Sequence, residues 1–124
     1  MKSSLFLCLS ILPVSGQFLV PDSRGKEGSS HAEWNVFTEA KFAPNAPDVA
    51  PDPDASITAT TGSAFITSSG NIYSFQAPIN LQLDDTTDLE VRSVFVQLAS
   101  LGSGLDRDGA RLLMDDGSWF GAGE

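Results

Sequence analysis

Hydrophobic and polar positions alternate along much of the chain after residue 54, and this pattern predicts short β-strands separated by turns. The stretch ASITATT, residues 55–61, places Ile57, Ala59 and Thr61 on one side of an extended chain. Turn signals such as GS, SSGN, DDTTD and DDGS recur about every 8–12 residues, a spacing typical of antiparallel sandwiches and barrels. The predicted fold class is therefore all-β: an antiparallel β-sandwich of jelly-roll type.

The clearest single element is the hairpin AFITSSGNIYSF, residues 64–75. Gly70 or Asn71 can take the positive φ of a tight turn, and the loop is expected to contain two or four residues. Such a loop places on one face Ala64, Ile66, Tyr73 and Phe75, and on the other Phe65, Thr67, Ile72 and Ser74. Because both faces carry apolar side chains, the hairpin is expected to be a covered, central strand pair that serves as scaffold.

Further strands are predicted on both sides of this hairpin. Residues 32–42, AEWNVFTEAKF, alternate as a strand, whereas the prolines of residues 43–54, APNAPDVAPDPD, predict an extended irregular loop. In INLQL, residues 79–83, the apolar side chains are expected to point inward, and Pro78 restricts this segment to a strand start or a sheet edge. Additional strands are predicted within LEVRSVFVQLASL, in ARLLM and at WF, residues 89–101, 110–114 and 119–120.

The first sixteen residues have the pattern of an export signal. Lys2 is followed by an apolar core at residues 5–12, and small residues end at Gly16, where a signal peptidase would cut. A membrane anchor is the alternative, but this core is far shorter than the roughly 20 apolar residues that span a bilayer. The predicted organisation is a signal peptide at 1–16, a flexible lead-in at 17–31 and a β-sandwich domain at 32–124. The protein is expected to be secreted or at the cell surface.

The net charge and the cysteine content of the chain disfavour or exclude several classes of binding partner and of reactive site. The chain has 16 acidic and 7 basic residues and a net charge of −9 at pH 7, which disfavours binding to nucleic acid and to anionic membranes. Cys8 is the single cysteine and leaves with the predicted signal peptide. The mature chain therefore has no thiol for a disulfide, a zinc site or a cysteine nucleophile.

Two stretches, EWNVFTEAKFAPNAPD at 33–48 and TTGSAFITSSGNIYSFQAP at 60–78, together resemble a group of uncharacterised exported bacterial proteins. The resemblance covers about residues 32–106 and includes Gly102, Leu105 and Asp106. Many members of that group end in a PEP-CTERM sorting tail, which is absent here. The resemblance implies export and a β-sandwich and implies no catalytic residues. Since the chain stops soon after Trp119, a final strand or tail is expected to be missing.

Calcium binding and hydrolysis are the candidate chemistries of the chain's polar side chains, and the simpler interpretation is that these side chains are solvated or structural. Calcium could use Asp48, Asp52 and Asp54 of the proline-rich loop, although Asp is also an ordinary turn residue. A small hydrolase would need paired carboxylates, for which the chain offers Glu33, Glu39 and Glu90, or a serine triad built on His31. No cofactor and no catalytic activity are expected.

Aromatic side chains offer a binding function. Trp34, Tyr73, Trp119 and several of the phenylalanines could form a platform on which a sugar ring stacks, although aromatic residues also fill ordinary cores. Tyr73 shares a predicted face with Ile66 and Phe75 and is expected to belong to the core, which leaves Trp34 and Trp119 as the candidates. The sequence thus favours an exported, non-catalytic β-sandwich that acts as a structural or interaction module, with cell-surface or matrix components as partners. The alternatives are a carbohydrate-binding module, with or without structural calcium, and a small hydrolase.

Overall fold

The computed structural model describes residues 18–49, 54–101, 104, 106 and 108–121, together with the backbone of residues 6–12. Within these ranges the chain is all-β and contains no helix, so the predicted class is confirmed at that level. The strands are β1 (Phe6–Leu12), β2 (Pro44–Asn45), β3 (Ser56–Ala59), β4 (Phe65–Ile66), β5 (Ile72–Tyr73), β6 (Leu81–Asp84), β7 (Ser93–Ala99), β8 (Arg111–Leu113) and β9 (Trp119–Gly121).

The chain divides into two compact units. The first unit contains Met1–Val20 and Leu89–Glu124, and the second contains Pro21–Asp88. Strands β1, β7, β8 and β9 belong to the first unit, and β2 to β6 belong to the second.

The second unit is organised around β3, which pairs antiparallel with β2 on one side and with β6 on the other. The alternation predicted for residues 55–61 is confirmed, because Ile57 and Ala59 are buried while Ser56 and Thr58 are less so. The prolines predict an irregular loop over residues 43–54, of which residues 50–53 lie outside the described residues. That prediction is wrong at Pro44–Asn45, where β2 forms because β3 offers it a ladder partner.

β6 lies at the edge of this sheet, which is one of the two positions that Pro78 was expected to allow. Leu81 and Leu83 lie opposite Ala59 and Ile57, on the side of the sheet that is buried in β3. The predicted direction of the two leucines is therefore confirmed, but both of them, and Ile79 before them, are more than a third exposed and are not core residues. An edge strand has a neighbour on one side only, and its side chains stay partly in water.

Residues 32–42 form no strand, contrary to the alternation of their side chains. A single bridge joins Glu33 to Val49. Further along, the backbone N–H groups of this segment are bound by side chains instead of a ladder: Asn35 and Val36 donate to Asp48, and Thr38 donates to Asn45. Side-chain acceptors of this kind compete with sheet formation and hold the backbone in an irregular path.

In the first unit, β1 pairs in parallel with β7 along seven residues of each strand, from Phe6 opposite Ser93 to Leu12 opposite Ala99. The apolar core of the predicted export signal is therefore the segment that forms β1. The Gln97 side-chain amide donates to the carbonyl of Leu19 at 2.6 Å and accepts from its N–H at 2.8 Å, which ties residue 19 to β7.

The predicted strands near the end of the chain are confirmed, since β8 and β9 form an antiparallel hairpin. Met114 and Gly117 close its turn, and Gly117 has a φ of 82° that favours glycine. The Asp116 carboxylate accepts the N–H of Ser118 at 2.8 Å, and hydrogen bonds from Ser118 lower the pKa of Asp116. Among the described residues, the structure has no helix long and apolar enough to cross a membrane.

Candidate functional site

Three aromatic rings form a contiguous cluster on one face of the β4–β5 hairpin. Phe65 lies directly opposite Tyr73, with ring centroids 5.5 Å apart and an interplanar angle of 61°. Phe75 stacks on Phe65 at 5.5 Å and 27° and meets Tyr73 edge-on at 4.7 Å and 73°. The side chains are 38%, 40% and 81% exposed for Phe65, Tyr73 and Phe75. We call these three residues the aromatic face.

The length of the hairpin loop explains why the rings meet. Thr67 N–H donates to the Asn71 carbonyl at 2.9 Å, so the loop between them contains three residues, 68–70. Gly70 N–H donates to the Thr67 carbonyl, and Gly70 has a φ of 78°, a combination typical of three-residue hairpins. The predicted loop of two or four residues is therefore wrong.

A change of one residue in loop length shifts every cross-strand partner by one position and exchanges the faces of one strand. Tyr73 and Phe75 thus lie with Phe65 and not with Ile66, contrary to the sequence prediction. On the other side, Ala64 is buried and Ile66 and Ile72 are half-buried, so this side packs against the rest of the second unit. The expectation that both faces are covered is wrong for the aromatic face.

The loop of the β4–β5 hairpin is bound to the irregular segment of residues 32–42. Phe37 N–H donates to the Gly70 carbonyl at 2.8 Å, and Gly70 is buried against Val36. Val36 is held in turn by the Asp48 carboxylate, which accepts the N–H groups of Asn35 and Val36. These two hydrogen bonds lower the pKa of Asp48 below its ordinary value of 3.8.

The Asn45 side chain holds the backbone of residues 38–39 next to β3. Its side chain is buried, and its Oδ1 accepts the backbone N–H groups of Thr38 at 2.9 Å and Glu39 at 2.8 Å. Its Nδ2 donates to the carbonyls of Glu39 and Ile57. One amide therefore joins the irregular segment to β3, which a residue without both a donor and an acceptor could not do.

Polar groups adjoin the aromatic face at the loop end of the hairpin. The Thr67 and Ser69 hydroxyls lie 3.0 Å apart, and Asn71 Nδ2 donates to Ser69 Oγ at 3.0 Å. Asn71 N–H also donates to Thr67 Oγ1. We call Thr67, Ser69 and Asn71 the polar rim. Its hydroxyl and amide groups are held in place by one another at the surface.

The aromatic face lies within a part of the sequence that contains no charged residue. Residues 55–83 include no Asp, Glu, Lys, Arg or His, although the rest of the chain is strongly acidic. Lys41 reaches the base of the hairpin, where its Nζ donates to the Gly62 carbonyl at 2.9 Å. Sequence reasoning considered Tyr73 for a sugar-binding platform but assigned it to the core, and it did not single out Phe65 and Phe75 as its partners in a site. The charge-free run around three aromatic residues was the signal that could have pointed to them.

The two tryptophans predicted as a platform lie in different units. Trp34, in the second unit, is half-buried, and its indole Nε1 donates to the Asn45 carbonyl at 2.9 Å. It thereby helps to hold β2. Trp119, on β9 of the first unit, is 59% exposed.

The aspartates considered for calcium are only partly described. Asp48 is exposed and binds two backbone N–H groups, Asp54 is exposed, and Asp52 lies outside the described residues. In the ranges that the structure covers, no three His, Cys, Asp or Glu side chains form a group that could hold a metal ion.

The carboxylates considered for hydrolysis are also distributed between units. Glu33 forms an ion pair with Arg24 in the second unit, and Glu90 is paired with Arg92 in the first. Glu39 is exposed and uses its backbone N–H and carbonyl to bind Asn45. The arrangement that the described residues do assemble is a rigid apolar surface with polar groups beside it, which can bind a ligand by stacking and hydrogen bonding.

No protein-family model matches the chain, and no similar curated protein or solved structure was found. The resemblance to exported bacterial proteins stays a prediction.

Proposed function

We propose that this protein is an exported, non-catalytic β-sandwich module that binds a component of the cell surface or extracellular matrix through its aromatic face. The observation that carries the proposal is the cluster of Phe65, Tyr73 and Phe75, three exposed rings in mutual contact on a rigid hairpin. Contiguous exposed apolar groups on soluble proteins commonly mark interaction sites. An aromatic cluster of this kind supports recognition without requiring a reactive side chain.

Export and the lack of catalysis are supported by the sequence. The first sixteen residues have the charge, apolar core and small residues of a signal peptide. The chain has one histidine and, after cleavage, no cysteine, which leaves few groups for nucleophilic catalysis. The sandwich arrangement is supported by the succession of short antiparallel strands and turns.

Binding to isolated cell envelopes tests the proposal. Purified, fluorescently labelled protein is incubated with envelopes of the producing cells, and the bound fraction is measured after sedimentation. We expect saturable binding that Phe75→Ala weakens about fivefold or more, since losing one stacked aromatic ring costs about 1–3 kcal/mol. Because Phe75 is 81% exposed, this substitution should leave the thermal midpoint nearly unchanged. Binding that is unaffected by Phe75→Ala and Tyr73→Ala would refute the assignment of the surface.

A further inference from the structure

We infer that the ligand of the aromatic face is an uncharged glycan. The inference rests on the proposed function, because it names the ligand class of the same surface. In the inferred complex, aromatic rings of the aromatic face stack on the apolar C–H side of a pyranose ring, and the polar rim hydrogen-bonds with sugar hydroxyls. Three properties of the surface favour such a ligand: its shape, its hydrogen-bonding groups and its charge.

The shape of the surface suits a ring-shaped ligand. Phe65 and Phe75 are within 27° of parallel, and Tyr73 stands edge-on to both, so each ring packs against the other two at the surface. Phe75 is the most exposed of the three and offers the largest ring surface to a ligand. Aromatic side chains combine a large apolar area with few rotatable bonds, so ordering them on binding costs little.

Hydrogen bonding distinguishes a sugar from a purely apolar partner. A sugar ring presents hydroxyls around its edge, and each hydroxyl needs donors and acceptors when water is displaced. The polar rim supplies two hydroxyl groups and one amide at the loop end of the same hairpin. These groups both donate and accept, which matches the dual character of sugar hydroxyls.

Charge argues for a neutral ligand. The aromatic face and the polar rim both lie within residues 55–83, which carry no charge. A basic peptide would find no carboxylate in this segment, whereas a polyanion would be repelled by a chain of net charge −9. An anionic lipid surface is disfavoured for the same reason. An uncharged polysaccharide experiences neither attraction nor repulsion and depends only on stacking and hydrogen bonds.

The hairpin loop that carries the polar rim is held in place by residues outside the hairpin. Gly70 is buried against Val36, and Phe37 N–H donates to its carbonyl, so the loop that carries the polar rim is held before any ligand arrives. A surface fixed in advance loses less conformational entropy on binding than a mobile one.

Affinity electrophoresis gives the direct test. The full protein is run in native gels that contain a soluble neutral polysaccharide, namely β-glucan, xylan or galactomannan, with alginate as the polyanionic control. We expect retardation by at least one neutral polysaccharide and none by alginate. Phe75→Ala and Tyr73→Ala should each weaken the association about fivefold or more. Trp119→Ala is the matched control, because Trp119 is an exposed aromatic residue of the other unit, and it should leave the retardation unchanged.

A second arm separates the glycan inference from the proposed function. Envelopes are treated either with periodate, which cleaves the vicinal diols of sugars, or with proteinase K. Periodate-sensitive, protease-resistant binding that requires Phe75 supports the inference, even if none of the three polysaccharides is the natural ligand. Binding that requires Phe75 but survives periodate and is lost after proteinase K overturns the glycan inference and leaves the proposed function intact. Loss of binding in Trp119→Ala, with Phe75→Ala unaffected, overturns both.

Discussion

Gly70 lies so close to Val36 that a β-carbon on Gly70 would be 2.6 Å from Val36 Cγ1. The same glycine has a φ of 78°, which other residues adopt with strain. Two independent requirements therefore select glycine at this position. They fix the three-residue loop, and through it the side of the hairpin on which the aromatic rings are found.

Gly70→Ala should lower the free energy of unfolding by at least about 2 kcal/mol, because backbone strain and overpacking against Val36 add together. Gly28→Ala is the matched control, since Gly28 has a φ of 77° and a β-carbon added there would meet nothing within 4 Å. Urea unfolding in a Trp119→Phe background would follow the second unit through Trp34. The double variant Gly70→Ala/Val36→Ala should recover part of the loss, and equal losses for Gly70→Ala and Gly28→Ala would contradict the contact.

Asn45→Ala should destabilise the second unit by about 2 kcal/mol or more. The substitution removes the acceptor of the Thr38 and Glu39 N–H groups and the donor to the Ile57 carbonyl, which lies in the central strand. Asn80→Ala is a suitable comparison, because Asn80 is exposed and its change should stay within about 0.5 kcal/mol. The same urea titration measures both, and similar values for the two variants would show that the buried amide contributes little.

Stability should fall as the pH drops below about 4, in part through Asp48. Its pKa is lower in the folded protein than its ordinary value of 3.8, because its carboxylate accepts hydrogen bonds from Asn35 and Val36. The stabilisation is therefore complete above the unfolded pKa and is lost as the pH falls through the folded one. Asp48→Asn should flatten this part of the profile of thermal midpoint against pH. An unchanged acid limb in Asp48→Asn would assign the effect to other carboxylates.

Calcium removal should leave the thermal midpoint unchanged. Asp48 already binds two backbone N–H groups through one carboxylate oxygen, and a calcium site requires six to eight oxygen ligands. Differential scanning fluorimetry in EDTA and in millimolar calcium makes the comparison. A midpoint that rises with calcium, and no longer does so in Asp54→Asn, would establish the metal site considered from the sequence.

Export should leave Gln17 as the first residue of the mature protein. The predicted cleavage after Gly16 removes the segment that forms β1 and so takes away the parallel partner of β7. Mass spectrometry of the protein recovered from the culture medium or the cell surface identifies the terminus. Recovery of the chain with Met1 still attached, in the cytoplasmic fraction, would contradict export.

Local patterns in the sequence were sufficient for the class of fold and for several of its strands. Alternation of side chains predicted β3 and β6, and short apolar runs between turn residues predicted β8 and β9. These predictions succeeded because a strand's two faces and the turn residues that bound it are properties of a few neighbouring residues. The acidic composition and the N-terminal pattern could likewise be seen without a structure.

Tertiary contacts decided the rest. Residues 32–42 alternate like a strand but follow an irregular path, because Asp48 and Asn45, which lie outside this segment and 7 to 13 residues further along the chain, bind its N–H groups. The aromatic face depends on whether the hairpin loop has two, three or four residues, and that choice is tied to the packing of Gly70 on Val36. Side-chain periodicity does not determine the length of the hairpin loop to within one residue. That one residue nevertheless moves Tyr73 and Phe75 to the opposite side of the hairpin.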